Sequence, residues 1–194
     1  MCQHGGRSLN SLSILRENKY IRAHYNDPKG LAAIQTRLSE YLKFVKGRPI
    51  ILLCIGTDRS TGDSLGPLTG TKIKERRLPG LSVIGTLEQP VHAVNLKTTL
   101  DEIYNSYKNP YIIALDACLG RLDSVGYITL AEGPLKPGTA VQKDLPEVGE
   151  IHLTGIVNIN GFMQYMVLQN TRLNIVWLMS EAIFYIFYRI FRGM

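Results

Sequence analysis

The amino-acid sequence predicts a mixed α/β fold, and three observations support this. Residues 50–55 and 111–115 are short, unbroken apolar runs, the pattern of parallel strands covered on both faces. Between them, helical spacing alternates with a further extended run, which makes β-α-β-α-β and a doubly wound start. After the third of these strands only residues 117–124 precede the next extended run, 125–130. A parallel crossover needs a dozen residues or more, so the strand at 125–130 is expected to run antiparallel.

The elements follow in order. Asp27-Pro28 reads as a cap with proline at the first helical position, and Leu31, Ile34, Leu38, Leu42 and Val45 then recur at helical spacing. An amphipathic helix is expected as far as Lys46, ended by Arg48-Pro49. The first strand, 50–55, leads through a glycine-bearing loop into a helix over 65–77. A second strand at 81–87, a helix at 95–107 and the third strand at 111–115 complete the doubly wound part. Residues 134–149, with Pro137-Gly138, read as a long loop, 151–157 as a strand, and two helices close the chain from 161 onward. No linker interrupts the 194 residues, so one domain is expected, with 1–48 as N-terminal extension and helix and 162–194 as C-terminal helices.

Composition narrows the function classes. A net charge of +6 and a pI near 9.3 favour acidic partners, but the cations are dispersed. The densest group, Lys72, Lys74, Arg76 and Arg77, suits the negative end of a helix. No stacking-aromatic or finger pattern accompanies the charge, so nucleic acid is not an expected partner. Cys2, Cys54 and Cys118 are too few and too unevenly spaced for a disulfide framework. The polar residues 1–19 lack the apolar core of a secretory signal, and a cytoplasmic location is expected. Residues 173–191 are apolar almost all round, yet Asn174, Ser180, Glu181 and Arg189 interrupt them. A helix covering the sheet or forming a homo-oligomer contact is expected there, in preference to membrane contact.

Two aspartates carry the chemistry. Asp63 lies in Gly62-Asp63-Ser64-Leu65-Gly66-Pro67, beyond the first strand, and Asp116 closes the third strand in Ala114-Leu115-Asp116-Ala117. Loops beyond the carboxyl ends of neighbouring parallel strands line the ligand crevice of an open α/β sheet. Close carboxylates share a proton, so one can act as base toward water while the other donates. The alternative is structural: Asp63 caps the helix beginning near Leu65, and Asp116 braces the following turn. Gly56, Gly62 and Gly66 match neither a Walker nor a dinucleotide fingerprint, and a tight strand-to-helix turn explains them as well as a phosphate loop does. His92 follows the second strand on the same sheet edge, as a base or metal ligand or as a surface residue. Arg59 could hold a substrate carboxylate or be solvated. No ligand-spacing motif calls for a metal or cofactor.

At these residues the chain resembles the YyaC-type sporulation proteins, relatives of the germination protease that degrades small acid-soluble spore proteins. Gly62-Asp63-Ser64-Leu65-Gly66-Pro67 is similar to that protease's Pro-Asp-Ala-Leu-Gly-Pro, and Ala114-Leu115-Asp116-Ala117 to its Ala-Ile-Asp-Ala. Pro90-Val91-His92-Ala93 is similar to the YyaC type. The chain departs from the protease at Gly155-Ile156-Val157-Asn158, where the protease has Gly-Val-Pro-Thr, which makes Asn158 a further site candidate. The resemblance, which extends more distantly to hydrogenase maturation proteases, implies a three-layer α/β/α sandwich with a five-stranded sheet of order 2-1-3-5-4. It also implies an acidic pair at Asp63 and Asp116, a protein or peptide substrate, and a place in the mother cell or forespore. Two other functions stay open: a catalytically inactive peptidase-fold binding protein, and a metal-dependent hydrolase using Asp63, Asp116 and His92.

Overall fold

The computed structural model describes residues 19–45, 47–137 and 145–192, so the expectations for residues 1–18, Lys46 and Gly138 lie outside it. The elements are β1 (Tyr20–His24), α1 (Pro28–Lys43), β2 (Ile50–Cys54), α2 (Leu65–Glu75), β3 (Leu81–Ile84), α3 (Leu96–Ser106), β4 (Tyr111–Gly120), β5 (Tyr127–Glu132), β6 (Ile151–Ile159), α4 (Gln164–Gln169) and α5 (Leu173–Phe191). The strands form one sheet in the order β3-β2-β4-β6-β5-β1.

The five expected strands stand in the expected 2-1-3-5-4 order, with β5 antiparallel to β6. The sheet, however, has six strands. β1 pairs antiparallel with β5 at the open edge, turning Ala23 inward and Tyr20 to solvent. A five-residue edge strand with one polar face carries too weak an apolar signal to be read from the chain. The third strand is also longer than expected. β4 continues from Leu115 to Gly120 because β6 accompanies it, pairing Asp116 with Thr154 and Ala117 with Gly155.

Side-chain alternation builds the three layers. Leu52, Cys54, Ile113, Leu115 and Leu153 point to the face covered by α1, α2 and α5. Ile51, Leu53, Ile112 and Ala114 point to the other face, covered by Leu96, Leu100 and Ile103 of α3. Asp27 caps α1 by accepting the Lys29 amide at 3.1 Å, and Pro28 opens that helix. α5 buries Val176, Met179, Ile183, Phe187 and Phe191 against the first face. It is also the one helix among the described residues long and apolar enough to cross a membrane. Its polar interruption is paired: Glu181 meets Lys72 of α2 at 3.5 Å, and the Lys72 ammonium lies 3.4 Å from the centre of the Trp177 ring.

The first turn of α2 lies directly on the end of β2. A Cβ at Gly66 would be driven into the Ile55 carbonyl oxygen, a backbone atom that cannot swing aside. Gly66→Ala is therefore expected to destabilise the protein by about 1–3 kcal/mol or more, despite the better helix propensity of alanine. Gly161→Ala, where a Cβ would meet open space, is expected to stay within about 0.5 kcal/mol of the parent. Urea denaturation of the three proteins checks both values.

Candidate functional site

The site forms where β2 stops and β4 does not. The last pair between these parallel strands is Cys54 with Leu115, after which the Ile55 amide donates to the Leu115 carbonyl at 2.7 Å. From Asp116 onward β4 keeps β6 on one side, while its β2 side opens. Alternation places Asp116 on the same face as Ile112 and Ala114, beyond the reach of α3. The result is a cleft of about 580 Å³ at the carboxyl ends of the parallel strands, the expected crevice of an open α/β sheet.

The turn after β2 brings Asp63 to this cleft. Gly56, at φ 139°, folds the chain so closely that the Thr57 amide donates to the Asp63 carbonyl at 3.1 Å. The Asp63 amide in turn donates to the Ser60 carbonyl at 3.1 Å, and a short 3-10 turn over Gly62–Ser64 runs into α2. Ser64 occupies the cap position of α2, and no side-chain capping bond forms there. Gly62 lies beneath Leu168 and Thr171. All three glycines therefore serve close packing of the turn.

His92 arrives by a different route. Beyond β3 the chain crosses back, Val91 bridges Ile55 in parallel, and the Gly56 amide donates to the Val91 carbonyl at 2.8 Å. The His92 amide donates to Asn95 Oδ1 at 2.8 Å, and His92 Nδ1 accepts the Val94 amide at 3.3 Å.

Asp63, His92 and Asp116 thus line one cleft, with Ser60, Thr57, Cys118 and Thr154 as further polar groups and Leu119, Leu135, Leu145 and Leu168 as apolar wall. Arg59 is exposed and lies outside the lining. Asn158 has a bracing role: its amide nitrogen donates to Thr171 Oγ1 at 3.1 Å and to the Val167 carbonyl at 3.3 Å, tying β6 to α4. Ser60, Cys118 and Thr154 were not singled out from sequence. Ser60 shares the Asp63 loop, and Thr154 is the register partner of Asp116, so only the strand pairing reveals the latter.

The electrostatics of the cleft favour a held proton. Burial pushes the Asp63 carboxyl above the usual range, against the opposing pull of the His92 ring and the Thr57 amide. Burial raises Asp116 much further, the charge on Asp63 adds to that push, and the bond from the Ala117 amide to Asp116 Oδ1 at 2.8 Å offsets part of it. Burial, with the Asp116 charge as a second cause, lifts the Cys118 thiol to about 11. That sulfur is protonated at neutral pH and is a poor nucleophile. No group of three His, Cys, Asp or Glu among the described residues has the geometry to hold a metal ion.

Comparison with known proteins fits this architecture. The chain belongs to the family described as Protein of unknown function (DUF1256), whose model matches residues 22–186. It is 56% identical over 159 residues to the Uncharacterized protein YyaC of Bacillus subtilis (strain 168), covering 82% of this chain and 78% of that protein. Among solved structures it is similar to the [NiFe] hydrogenase maturation protease HycI from Thermococcus kodakarensis KOD1. The TM-score is 0.55 at 15% identity, over 80% of this chain and 99% of that one. At that identity the likeness is one of fold.

A raised aspartate has a definite consequence for stability. The folded protein holds the Asp116 proton at pH values where the unfolded chain has released it, so this group's stabilising contribution is complete below about pH 4 and is lost as pH rises. Asp116→Asn keeps a neutral group of similar size in place. The variant is therefore expected to be more stable than the parent at pH 7, with the difference shrinking to nothing toward pH 4. Denaturation midpoints across that range measure it.

Proposed function

We propose that the protein is an endopeptidase that hydrolyses a protein substrate with an acidic aspartate pair. The observation that carries this reading is the convergence of Asp63, from the turn after β2, and Asp116, from within β4, on one partly apolar cleft. Burial raises both, and the charge of one holds the proton on the other. In the proposed reaction Asp63, as carboxylate, takes a proton from a water molecule whose oxygen adds to the scissile carbonyl carbon. Asp116 gives its proton to the departing nitrogen, the C–N bond breaks, and an acid and an amine leave. The proton on Asp63 then returns to Asp116. A general base within direct or water-bridged reach of its proton contributes about 10²- to 10⁴-fold.

The peptidase-like fold shared with the hydrogenase maturation protease supports this reading, because fold likeness raises the prior without deciding the activity. The resemblance of the Asp63 and Asp116 segments to the germination protease extends it to a spore protein as substrate and to the cytoplasm of a mother cell or forespore as its place. A non-catalytic peptide-binding role is the second reading. It is favoured by an exposed aromatic side chain among the residues that line the cleft, Tyr165, which is 62% exposed.

Incubation of spore-protein extracts with the parent and with Asp63→Asn and Asp116→Asn separates the two. New fragments, identified by mass spectrometry, are expected with the parent and are expected to fall at least about 10²-fold with either variant. Both variants should keep or exceed the parent's thermal midpoint. Identical fragment patterns in all three samples would transfer the assignment to the binding role.

A further inference from the structure

The cleft that holds the aspartates is flanked by two apolar walls, one from each face of the sheet. Leu135 and Leu145 line it and pack in the core of the face that α3 covers, and Val94 stands in sequence between Val91 and Leu96 of that same core. Leu119 and Leu168 line it from the other side, where they pack against the core of the opposite face, and Tyr165 lies three residues before Leu168 on α4. The outer member of each wall is left to solvent: Val94 is 81% exposed, and Tyr165 is exposed as well. A single exposed apolar side chain needs no explanation. Two that line one cleft from opposite sides mark the place where an apolar ligand would be covered.

We propose that the cleft takes an extended polypeptide with an apolar side chain on each side of the bond that is cut and no acidic residue beside them. One apolar side chain lies against Val94 and the other against Tyr165. For the cut itself this rests on the peptidase reading given above. A wholly apolar ligand such as an acyl chain fits poorly, because it would cover Asp63 and Asp116 and offer them nothing polar. A peptide brings backbone N–H and C=O groups to the carboxyls together with its side chains. An acidic side chain is disfavoured by charge, since it would add a carboxylate beside the two that line the cleft. Lys136, the lysine of the lining, is already engaged with Glu147 at 3.0 Å.

Two measurements test this. In the first, the parent digests a library of mixed-sequence synthetic peptides, and mass spectrometry reads the residues on either side of each cut. Apolar residues on both sides, with Asp and Glu depleted, are expected; cuts without that preference, or beside acidic residues, overturn the proposal. In the second, Asp116→Asn is titrated with peptides that carry either leucine or serine at the two central positions. The leucine peptide is expected to bind about 10-fold or more tightly, as apolar pockets discriminate. Val94→Ser and Tyr165→Ser, each added to Asp116→Asn, should remove most of that preference. Phe162→Ser should keep it, because Phe162 is exposed outside the lining. All three side chains are exposed, so these substitutions leave folding within about 0.5 kcal/mol. Equal binding of the two peptides, or a preference that Val94→Ser and Tyr165→Ser leave untouched, overturns the proposal. If the parent cuts nothing while the preference holds and follows Val94 and Tyr165, the peptidase reading fails and the ligand class stands. An active parent that cuts without the preference is the opposite result.

Discussion

The close approach of the α2 N-terminal turn to the end of β2 is the constraint on which the site depends. At Gly66 the helix backbone touches the Ile55 carbonyl, and at Gly56 the strand end touches the Asp63 carbonyl. Both contacts need a residue without a Cβ, and together they fold residues 56–66 into a turn with almost no freedom of its own. Asp63 inherits that rigidity. A side chain on such a turn is positioned by packing on both sides, as a reacting group must be if its geometry is to survive thermal motion. The same close approach brings Val91, and with it His92, to the lip of the strand through the Gly56 amide.

Asp116 is held differently. It sits within a hydrogen-bonded strand, flanked by β6, and owes its opening to the cleft solely to the termination of β2 one pair earlier. One member of the pair therefore belongs to a turn and the other to the sheet, and leucines form part of the wall of the cleft that both line. Low dielectric strengthens the repulsion between two carboxylates, so a shared proton is the cheaper arrangement. Neither carboxylate takes part in an ion pair among the described residues. Lys136, the cationic side chain on the cleft rim, is engaged with Glu147 at 3.0 Å.

How much of this could be read from the chain follows from what each element reports about itself. The buried strands declared themselves by apolar runs, and the antiparallel turn of β5 followed from loop length alone, because both depend on local pattern and reach. The bounds of α5 were legible for the same reason. β1 escaped because an edge strand needs only half an apolar face. The length of β4 escaped because residues 116–120 are strand only through β6, a pairing some forty residues away. The two aspartates were visible as strand-end carboxylates, and His92 by its edge placement. Arg59 and Asn158 were visible too, yet their surroundings, solvent for one and the α4 brace for the other, depend on side-chain direction. Ser60 carried no signal, since a serine in a turn is ordinary until its burial is seen.

The structural explanations for the aspartates can be weighed against the same contacts. A cap at Asp63 would require its carboxylate to satisfy the first amides of α2, yet Ser64 holds the cap position and no side-chain bond is made. A brace at Asp116 amounts to one bond from the adjacent Ala117 amide, a return that any residue able to release that amide into the cleft would make unnecessary. Against this stands the cost of burying a carboxyl beside another one, which the fold would avoid with an apolar or amide side chain at the same strand position. Stability alone therefore selects against this pair. On the proposed peptidase reading, one carboxyl keeps its proton while its neighbour stays ready to accept another, which gives both a reason to stand in a cleft that could have been built without them.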